Sequence, residues 1–525
     1  MLYYTGCASV LVLALLAGVR GCLLPNRPVG IEDSVAVDRP AAIRPDYTQS
    51  VIPPNVAPLN FVVEEPGAEY YVKIRSEQGD PIEVTHPTGR IVISLSPWRK
   101  LLEANKGQAL YIDVYVKPID GRWQRFKTIT NLIANEDIDG YLAYRLIKPI
   151  HNTWTNMGIY QRSLEGYYES LIFHNRSFTH GCVNCHTFWN NRPEPMIMHF
   201  RSAAHGTGML LAKSEGVQKV DLLGAYTSWH PSGRLVAFSV NKVRQFFHFA
   251  GPEVRDVCDL DSYVALYLVD SDTVVTTKEI AEKDQMETYP AWSPDGRYLY
   301  FCSAPILWTD RDKVPPEHYR EVRYDLKRIS YEVDTGQWGQ AETLLSSKET
   351  ALSITQPRVS PDGRYLLFCM ADYGCFPIYQ PSCDLYLMDL QTRQYRRLEI
   401  NSDQSDSWHG WSTNGRWFVF SSKRGNGLFA RPYFSYFDTQ GKVHKPFVLP
   451  QKDPTLYDRQ FMTYNVPELV TGPIHLGTED FGAAVRATDK IKVQMPVTGA
   501  TPRIETQPTT AWIEYGTQDP LTREK

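Results

Sequence analysis

The sequence lacks the short motifs that mark several common enzyme classes. It contains no Gly-x-Ser-x-Gly nucleophile elbow, no P-loop, no dinucleotide-binding fingerprint and no His-Glu-x-x-His pair, so it gives no sign of the hydrolase, nucleotide or metalloprotease chemistry that those motifs support. An excess of one charge is also missing, because 55 basic residues stand against 59 acidic ones and leave a net charge of −4. Without a basic stripe, nucleic acid is not an expected partner.

Long hydrophobic runs are scarce, and the one at the N-terminus has a targeting pattern. Residues Ala8 to Gly18 match the apolar region of a secretory signal, and Val19-Arg20-Gly21-Cys22 resembles a bacterial lipobox with Cys22 as the acylated residue. Arg20 departs from that pattern, and a retained anchor over Leu2–Leu24 is the alternative. We expect residues 1–22 to be a signal peptide and the mature chain to be lipid-anchored on the periplasmic side of the outer membrane.

Cysteine is rare, with nine residues in 525, yet two of the nine lie in Cys182-Val183-Asn184-Cys185-His186. Cys-x-x-Cys-His is the attachment sequence of c-type haem. Cys182 and Cys185 would form thioethers to one haem c, and His186 would be the proximal iron ligand. We expect the two intervening residues to curl the backbone by one helical turn, so that both sulfurs meet one porphyrin edge. A structural disulfide, a thioredoxin-like pair or half of a zinc site are the alternatives.

A haem that transfers electrons usually has a second axial ligand, and methionine or histidine fills that role. Met196 and Met198 fall on one face of a predicted strand soon after the motif, and His199 falls on the other face. Met198 is the first candidate for the distal ligand, with Met196 and His199 as alternatives. An open, five-coordinate iron is a further option. Weaker ligand candidates are His205, His180 and Met157.

A repeated turn followed by an apolar strand is the second strong signal. The pattern occurs four times, and one copy reads Trp292-Ser293-Pro294-Asp295-Gly296-Arg297. Successive copies start 63, 67 and 52 residues apart, as in propeller blades with loop insertions. Proline and glycine favour the tight turn, and a strand that is apolar on both faces suits a blade between two others. His230 and His409, beside two of the turns, are expected to pack there. The copies begin at Trp229, Trp292, Val359 and Trp411.

These turns, together with a later strand such as Asp384–Asp389, resemble the TolB-type propeller repeats of bacterial envelope proteins. The resemblance covers about residues 190–475 and implies a β-propeller, with six blades as in TolB. A narrower similarity is to uncharacterised envelope proteins that join such a propeller to one Cys-x-x-Cys-His. The matching stretches are Ala57–Phe61, Tyr144–Ile147, Met157–Arg162 and the haem motif itself.

The whole chain is predicted to be all-β. Short alternating strands predict an N-terminal β-sandwich of immunoglobulin or fibronectin type, and the aromatic-rich segment that follows would connect it to the propeller and carry the haem motif. The predicted units are an extended, proline-containing linker (23–50), the β-sandwich (51–147), the connector with the haem motif (148–188), the propeller (189–477) and a polar tail (478–525).

The other cysteines give further expectations. Cys302 and Cys369 occupy a position that serine fills in two other repeats, which predicts buried free thiols. Cys375 and Cys383 flank a short proline-containing loop and could form a disulfide in an oxidising compartment, a pairing that the sequence leaves open. Cys258 is expected to be unpaired.

The sequence therefore predicts an exported lipoprotein with one covalent haem c, for electron transfer or redox sensing. Its propeller face would dock an envelope protein or a redox partner, and its lipid anchor would bind the membrane. The alternative is a haem-free TolB-like scaffold that binds envelope proteins or cell-wall components. A third hypothesis is that the propeller is an enzyme. It would require a central funnel lined by several carboxylates that do not recur from blade to blade.

Overall fold

The computed structural model describes residues 27–148, 156–179, 181–248 and 255–494. Strands dominate these residues and the helices are short, so the all-β prediction is confirmed. The predicted signal peptide and Cys22 lie outside the described residues, as does His180. Within the described ranges, no helix is long and apolar enough to cross a bilayer.

The N-terminal region forms two sheets and one helix. The larger sheet has the order β1-β9-β8-β10-β3, with β5 beside β8 and β6 beside β5, and the smaller sheet has the order β2-β4-β7. Helix α1 buries Trp98, Leu101 and Leu102. The elements are β1 (Val35–Pro40), β2 (Ile43–Arg44), β3 (Val51–Ile52), β4 (Phe61–Val63), β5 (Glu69–Arg75), β6 (Ile82–His86), β7 (Arg90–Ile91), α1 (Leu95–Ala104), β8 (Ala109–Lys117), β9 (Gln124–Lys127) and β10 (Ile129–Ile133).

The prediction of an extended linker over residues 23–50 is wrong for its described part. Strand β1 pairs in parallel with β9, and β2 pairs antiparallel with β4. The Arg39 guanidinium donates to the largely buried Glu65 carboxylate, whose oxygen also accepts from the Ala42 backbone. These contacts fix the segment to the N-terminal sheets, so it does not act as a free tether.

Six further sheets follow, and in all but the first the strands run in chain order from the inner edge outward. We number them blades 1 to 6: blade 1 is β35-β11-β12-β13, blade 2 is β14 to β17, blade 3 is β18 to β21, blade 4 is β22 to β26, blade 5 is β27 to β30 and blade 6 is β31 to β34. The strands are β11 (Tyr141–Ile147), β12 (Met157–Ser163), β13 (Glu169–His174), β14 (Cys182–Phe188), β15 (Met196–Ser202), β16 (Gly206–Lys213), β17 (Gly216–Val220), β18 (Ala225–Trp229), β19 (Leu235–Phe247), β20 (Arg255–Leu268), β21 (Thr273–Val275), β22 (Gln285–Trp292), β23 (Tyr298–Pro305), β24 (Asp325–Glu332), β25 (Gln337–Trp338), β26 (Glu342–Leu345), β27 (Ser353–Val359), β28 (Tyr365–Ala371), β29 (Asp384–Asp389), β30 (Tyr395–Arg397), β31 (Asp406–Trp411), β32 (Trp417–Ser422), β33 (Arg431–Tyr436), β34 (Phe447–Val448) and β35 (Thr463–Val470).

The inner strands of the six blades form a closed ring. Strand β14 contacts β18, and the contacts continue through β22, β27, β31 and β35 back to β14. Such a ring of sheets, five with four strands and one with five, is a β-propeller, so the predicted propeller fold is confirmed. Short helices lie between or after the blades: α2 (Ser347–Thr350), α3 (Leu456–Arg459), α4 (Thr478–Arg486) and 3-10 turns at Asn175–Phe178, Trp189–Asn191, Lys278–Ile280, Tyr319–Glu321 and Pro377–Tyr379.

Blade 1 joins the two ends of the propeller, and it corrects the predicted boundaries. Strand β35 pairs antiparallel with β11, from Tyr141 opposite Val470 to Ile147 opposite Thr463. The propeller therefore begins at β11 and not at residue 189. The predicted connector, 148–188, supplies β12 and β13 of blade 1 and β14 of blade 2. Its aromatic residues pack between these blades, as Phe173 does against Phe178.

The predicted polar tail, 478–525, which was expected to be ordered only where it docks, docks on the propeller over residues 478–494. Helix α4 buries Phe481 and Val485 in the core between blades 1 and 2, and the Phe481 ring lies 5.5 Å from that of Phe173. Beyond the helix, Ile491 bridges to Val220. The segment is anchored because its few apolar side chains fall on the buried face of α4. The remaining tail residues lie outside the described part of the chain.

Candidate functional site

The haem motif lies in β14, the inner strand of blade 2. Each of the six inner strands carries one residue with a positive φ, between 48° and 55°, and the pairing with the neighbouring strand shifts at that point. An irregularity of this kind is a β-bulge. The six bulge residues are Cys185, Tyr226, Tyr289, Gln356, Trp408 and Val466.

The motif therefore coincides with a position that recurs in every blade. Cys185 stands where blade 4 has Tyr289, and His186 stands where blade 4 has Pro290 and blade 6 has His409. The predicted helical turn between Cys182 and Cys185 is wrong, because these residues extend along a bulged strand. The structure thus brings the motif to the wall of the central channel.

The three motif side chains are buried. Cys182 and Cys185 are each 5% exposed and neither is in a disulfide, and His186 is 2% exposed. Burial raises the pKa of both thiols above its ordinary value, which keeps them protonated near neutral pH. Burial also lowers the pKa of His186 to about 3, with the positive charge of Arg145 acting in the same direction. The imidazole is therefore neutral, the form that binds metals.

Two imidazoles, one in the motif and one on the neighbouring strand, have no hydrogen-bond partner among the described residues. Both ring nitrogens of His186 are buried without a partner among the described residues, and the same holds for His199. The backbones of Ala143 and Val466 lie near the His186 ring and partly oppose the effect of burial on its pKa, but neither meets hydrogen-bond geometry. An unpaired buried polar group costs about 1–3 kcal/mol. The donor set of two free thiols and one unpartnered imidazole is the one that a c-type haem uses.

The cavity beside the motif is too small for the haem that this donor set would bind. Cys185 and His186 line a cavity of about 40 Å³ at the centre of the ring, which is the space of a few water molecules. Sites for ligands of cofactor size span about 300–1,000 Å³. Tyr226, Trp408 and the Arg358–Glu468 pair also line this cavity. As the described residues stand, a porphyrin does not fit against Cys185 and His186.

The candidate distal ligands are dispersed. Met196 and Met198 are fully buried in the core between blades 1 and 2, and His199 lies on the opposite face of β15, close to Gly224. Two candidates lie beside the motif: His199 pairs with Asn184 across β14 and β15, and Met157 Sδ accepts a hydrogen bond from the Val183 backbone at 3.3 Å. In the described part of the chain, no group of three or more His, Cys, Asp or Glu side chains is placed to hold a metal ion.

A second opening lies where the inner strands end. It has a volume of about 390 Å³ and is lined by aromatic side chains from four blades, among them Trp229, Trp292 and Trp411. We call it the funnel. Its floor is the ion pair of Arg358 and Glu468, in which Arg358 Nη2 donates to Glu468 Oε1 at 3.0 Å. Burial raises the pKa of Glu468, and the charge of Arg358 opposes that effect.

Arg358 and Glu468 were not identified from the sequence. Blades 2, 3, 4 and 6 have Thr187, Ser228, Ala291 and Gly410 at the equivalent position of the inner strand. An alignment of the inner strands, in addition to the turns, would have shown that two of six blades carry a charge there. The hypothesis of a propeller enzyme requires several carboxylates in the funnel that do not recur between blades. Glu468 is the one carboxylate among the described lining residues of the funnel, so these residues do not meet that requirement.

The cysteine pairing differs from the prediction. Cys375 forms a disulfide with Cys258, which lies 117 positions earlier in the chain, and Cys383 is a buried free thiol. The pairing arises because β19 and β20 form a long hairpin whose end reaches the loop after β28, where Cys258 and Cys375 form a β-bridge. Cys302 and Cys369 are buried free thiols, as their positions suggest.

Comparison with known proteins gives distant structural similarities alone. No protein-family model and no curated protein matches the sequence. Among solved structures, hydrazine synthase of Kuenenia stuttgartiensis aligns with a TM-score of 0.40 and 11% identity over 65% of this chain. The tricorn protease aligns with a TM-score of 0.35 and 10% identity over 69%, and the Dos1 propeller with 0.29 and 14% over 52%. This chain spans 47%, 34% and 62% of their respective lengths.

Proposed function

We propose that this protein is a haem-free interaction module of the bacterial envelope, whose propeller binds a polar segment of an envelope protein or cell-wall component in the funnel. The observation that carries the proposal is the unrepeated Arg358–Glu468 pair at the floor of a cavity of about 390 Å³. A propeller that served as a spacer alone would need no charged pair there, because small side chains fill the same position in the other blades.

The funnel has the properties of a binding site. Its volume falls within the range of ligand sites, and the indole rings of Trp229, Trp292 and Trp411 give it rigid aromatic walls. Arg358, with one third of its side chain exposed, offers donors, and Glu468 offers acceptors. Because the two charges cancel, the floor favours a polar ligand without a large net charge.

Site-specific crosslinking tests this proposal and does not require the identity of the partner. A photoreactive amino acid at Asn190, which lines the funnel, should give discrete adducts in bacteria, whereas the same residue at the exposed Lys278 serves as the matched control. Replacing both floor residues, Arg358→Met with Glu468→Met, should abolish the Asn190 adducts and leave thermal stability nearly unchanged. Identical adducts at both positions, or adducts that survive the double substitution, would overturn the proposal.

Covalent attachment of one haem c is the second candidate, and the unpartnered imidazole of His186 favours it. Cys182 and Cys185 would hold the two thioethers and His186 the iron. Met198, Met196, His199 or Met157 would be the source of a second ligand. Bound haem would supply one-electron transfer, and the cavity beside the motif would have to widen to admit it.

A haem stain decides between the two candidates. The chain is co-expressed with a c-type haem maturation system, and a denaturing gel is stained for peroxidase activity. A haem-free module gives no stain and an intact mass equal to the polypeptide alone. A stained band that disappears in Cys182→Ala/Cys185→Ala but persists in Cys302→Ala would replace our first candidate with the second. Lipid anchoring stays a prediction, and loss of radiolabelled palmitate in Cys22→Ala would test it.

A further inference from the structure

Three side chains of blades 5 and 6 form a cluster behind the channel wall. The sulfur of Cys369 in β28 lies 3.7 Å from Nδ1 of His409 and 3.4 Å from Oε1 of Gln356. The second free thiol, Cys383, lies beside Cys369, because both sulfurs donate to the Asp406 carbonyl oxygen, at 3.4 Å from Cys383 and 3.9 Å from Cys369. Cys369 and Cys383 are completely buried, and His409 nearly so. Two free thiols and one imidazole therefore share one enclosed site.

The hydrogen bonds of His409 determine which nitrogen faces the thiol. Nε2 lies 3.0 Å from the Leu367 carbonyl oxygen. A carbonyl can only accept, so Nε2 carries the proton and Nδ1 presents its lone pair to the sulfur of Cys369. An imidazole held in this way accepts the thiol proton, and the resulting cation stabilises the thiolate beside it.

Cys302 provides an internal comparison. It occupies the same strand position in blade 4, where it pairs with Thr288 as Cys369 pairs with Thr355 in blade 5. Burial raises the pKa of Cys302 well above its ordinary value. Burial also opposes the ionisation of Cys369, but hydrogen bonds with Cys383 and His409 outweigh it and lower the pKa of Cys369 to about 6.

The cluster borders the central cavity, which has room only for small molecules. His409 and Gln356, which touch the Cys369 sulfur, also line the central cavity of about 40 Å³. A cavity of that size admits a molecule of a few atoms and excludes glutathione, protein disulfides and other bulky thiol reagents. Cys185 faces the same cavity, but burial raises its pKa, as it raises that of Cys383, so neither of these two thiols is expected to react first with a small oxidant.

We propose that Cys369 is a peroxide-reactive thiol, with His409 as the base that activates it and Cys383 as the resolving thiol. The Cys369 sulfur attacks one oxygen of hydrogen peroxide: the S–O bond forms, the O–O bond breaks, and the departing hydroxide takes the proton held by His409 and leaves as water. The Cys383 sulfur then attacks the sulfenic acid. The S–S bond forms, the S–O bond breaks, and a second water leaves with the Cys383 proton. Two thiols are oxidised to one disulfide while hydrogen peroxide is reduced to two waters.

The reaction can be followed in the full chain without any substitution. The reduced protein is treated with hydrogen peroxide, quenched and denatured, and its remaining thiols are alkylated and quantified by peptide mass spectrometry. Cys369 and Cys383 should be lost together at least about tenfold faster than Cys302, and a Cys369–Cys383 disulfide peptide should appear. Equal loss of all five described free thiols, or faster loss of Cys185, would overturn the proposal.

Three variants assign the roles of the cluster. Cys383→Ser should stop the reaction at a sulfenic acid on Cys369, which dimedone traps. His409→Gln should slow the oxidation of Cys369 by about tenfold or more, and Cys302→Ser, the matched control, should leave the rate unchanged. An unchanged rate in a folded His409→Gln protein would overturn the role of the base. If His409→Gln does not fold, the order in which the thiols of the unsubstituted chain are lost still tests the proposal. None of these results depends on whether the funnel binds a ligand, so they are independent of the proposed function.

Discussion

At the scale of single residues, buried ionisable groups make the stability of this protein depend on pH. Asp259 is almost completely buried, and its carboxylate accepts hydrogen bonds from Asn241 at 3.0 Å and Tyr324 at 3.1 Å. Burial outweighs both bonds and raises its pKa to about 6. A carboxyl whose pKa is higher in the folded than in the unfolded chain favours folding while it is protonated. That contribution is complete below pH 4 and is lost as the pH rises through 6.

Replacing Asp259 by asparagine should remove this pH dependence. Between pH 4 and 8, we expect the unsubstituted protein to lose about 3 kcal/mol of unfolding free energy relative to Asp259→Asn, as measured by urea unfolding. The comparison must be between the two proteins, because His186 and His199, with their pKa values lowered to about 3, respond in the opposite direction. A difference that does not change with pH would contradict the prediction.

The chemistry of single residues was easier to predict than their surroundings. The Cys182–His186 motif is visible in the sequence because its meaning depends on spacing alone. Its place in an inner strand is not visible, because β14 and β35 contact each other across almost three hundred residues. For the same reason, no local pattern could show that Glu468 faces Arg358 or that His409 faces Cys369.

At the scale of the element, the repeated turn is stabilised by its own side chains. In blade 5, Asp362 Oδ1 accepts hydrogen bonds from Ser360 Oγ at 2.5 Å and from the Arg364 backbone at 3.1 Å. In blade 6, Asn414 accepts the equivalent pair from Ser412 and the Arg416 backbone. The recurrent acidic residue therefore has a structural role, and an amide can fill it.

This equivalence leads to a prediction for the turn of blade 5. Asp362→Asn should change the unfolding free energy by less than about 0.5 kcal/mol, because the amide oxygen accepts the same two bonds. Asp362→Ala should cost about 1–2 kcal/mol, because two donors lose their acceptor. Urea unfolding of both variants at pH 7 measures the difference. Equal costs for asparagine and alanine would mean that charge, and not the hydrogen bonds, matters at this position.

The elements that the sequence predicted well are those with such turns. Blades 3 to 6 have them, and their inner and second strands lie where the repeats indicated. Blades 1 and 2 lack the turn, and three of their strands, β12 to β14, fall in the predicted connector, while β11 falls in the predicted β-sandwich. Strand β1 was missed for another reason: its side chains are mostly exposed, so they show no alternation of apolar and polar residues.

At the scale of the whole molecule, the N-terminal sheets and the propeller are joined by shared packing. Residues of both contribute to one hydrophobic core, in which Trp417 of blade 6 is fully buried. The Trp417 indole donates to the Glu136 carbonyl at 3.1 Å, and the Asp139 carboxylate accepts from the Thr413 backbone at 3.0 Å. Because such contacts cover the boundary between the two regions, the residues at the boundary do not have the composition of a linker. The sequence therefore contains no sign of where the propeller begins.

The disulfide between Cys258 and Cys375 acts at this largest scale, because it links the long hairpin of blade 3 to the loop after β28 in blade 5. A crosslink that encloses a loop of more than a hundred residues stabilises chiefly by restricting the unfolded chain, by about 2–5 kcal/mol. Cys258→Ser/Cys375→Ser should therefore lower the thermal midpoint in calorimetry, and a reductant should lower that of the unsubstituted protein to the same value. The thermal midpoint of the double variant should not change with reductant. Cys302→Ser is the control, because serine already fills the equivalent position in blades 3 and 6. Reductant should lower its thermal midpoint as much as that of the unsubstituted protein. A reductant effect that persists in the double variant would show that the measured stability comes from another thiol.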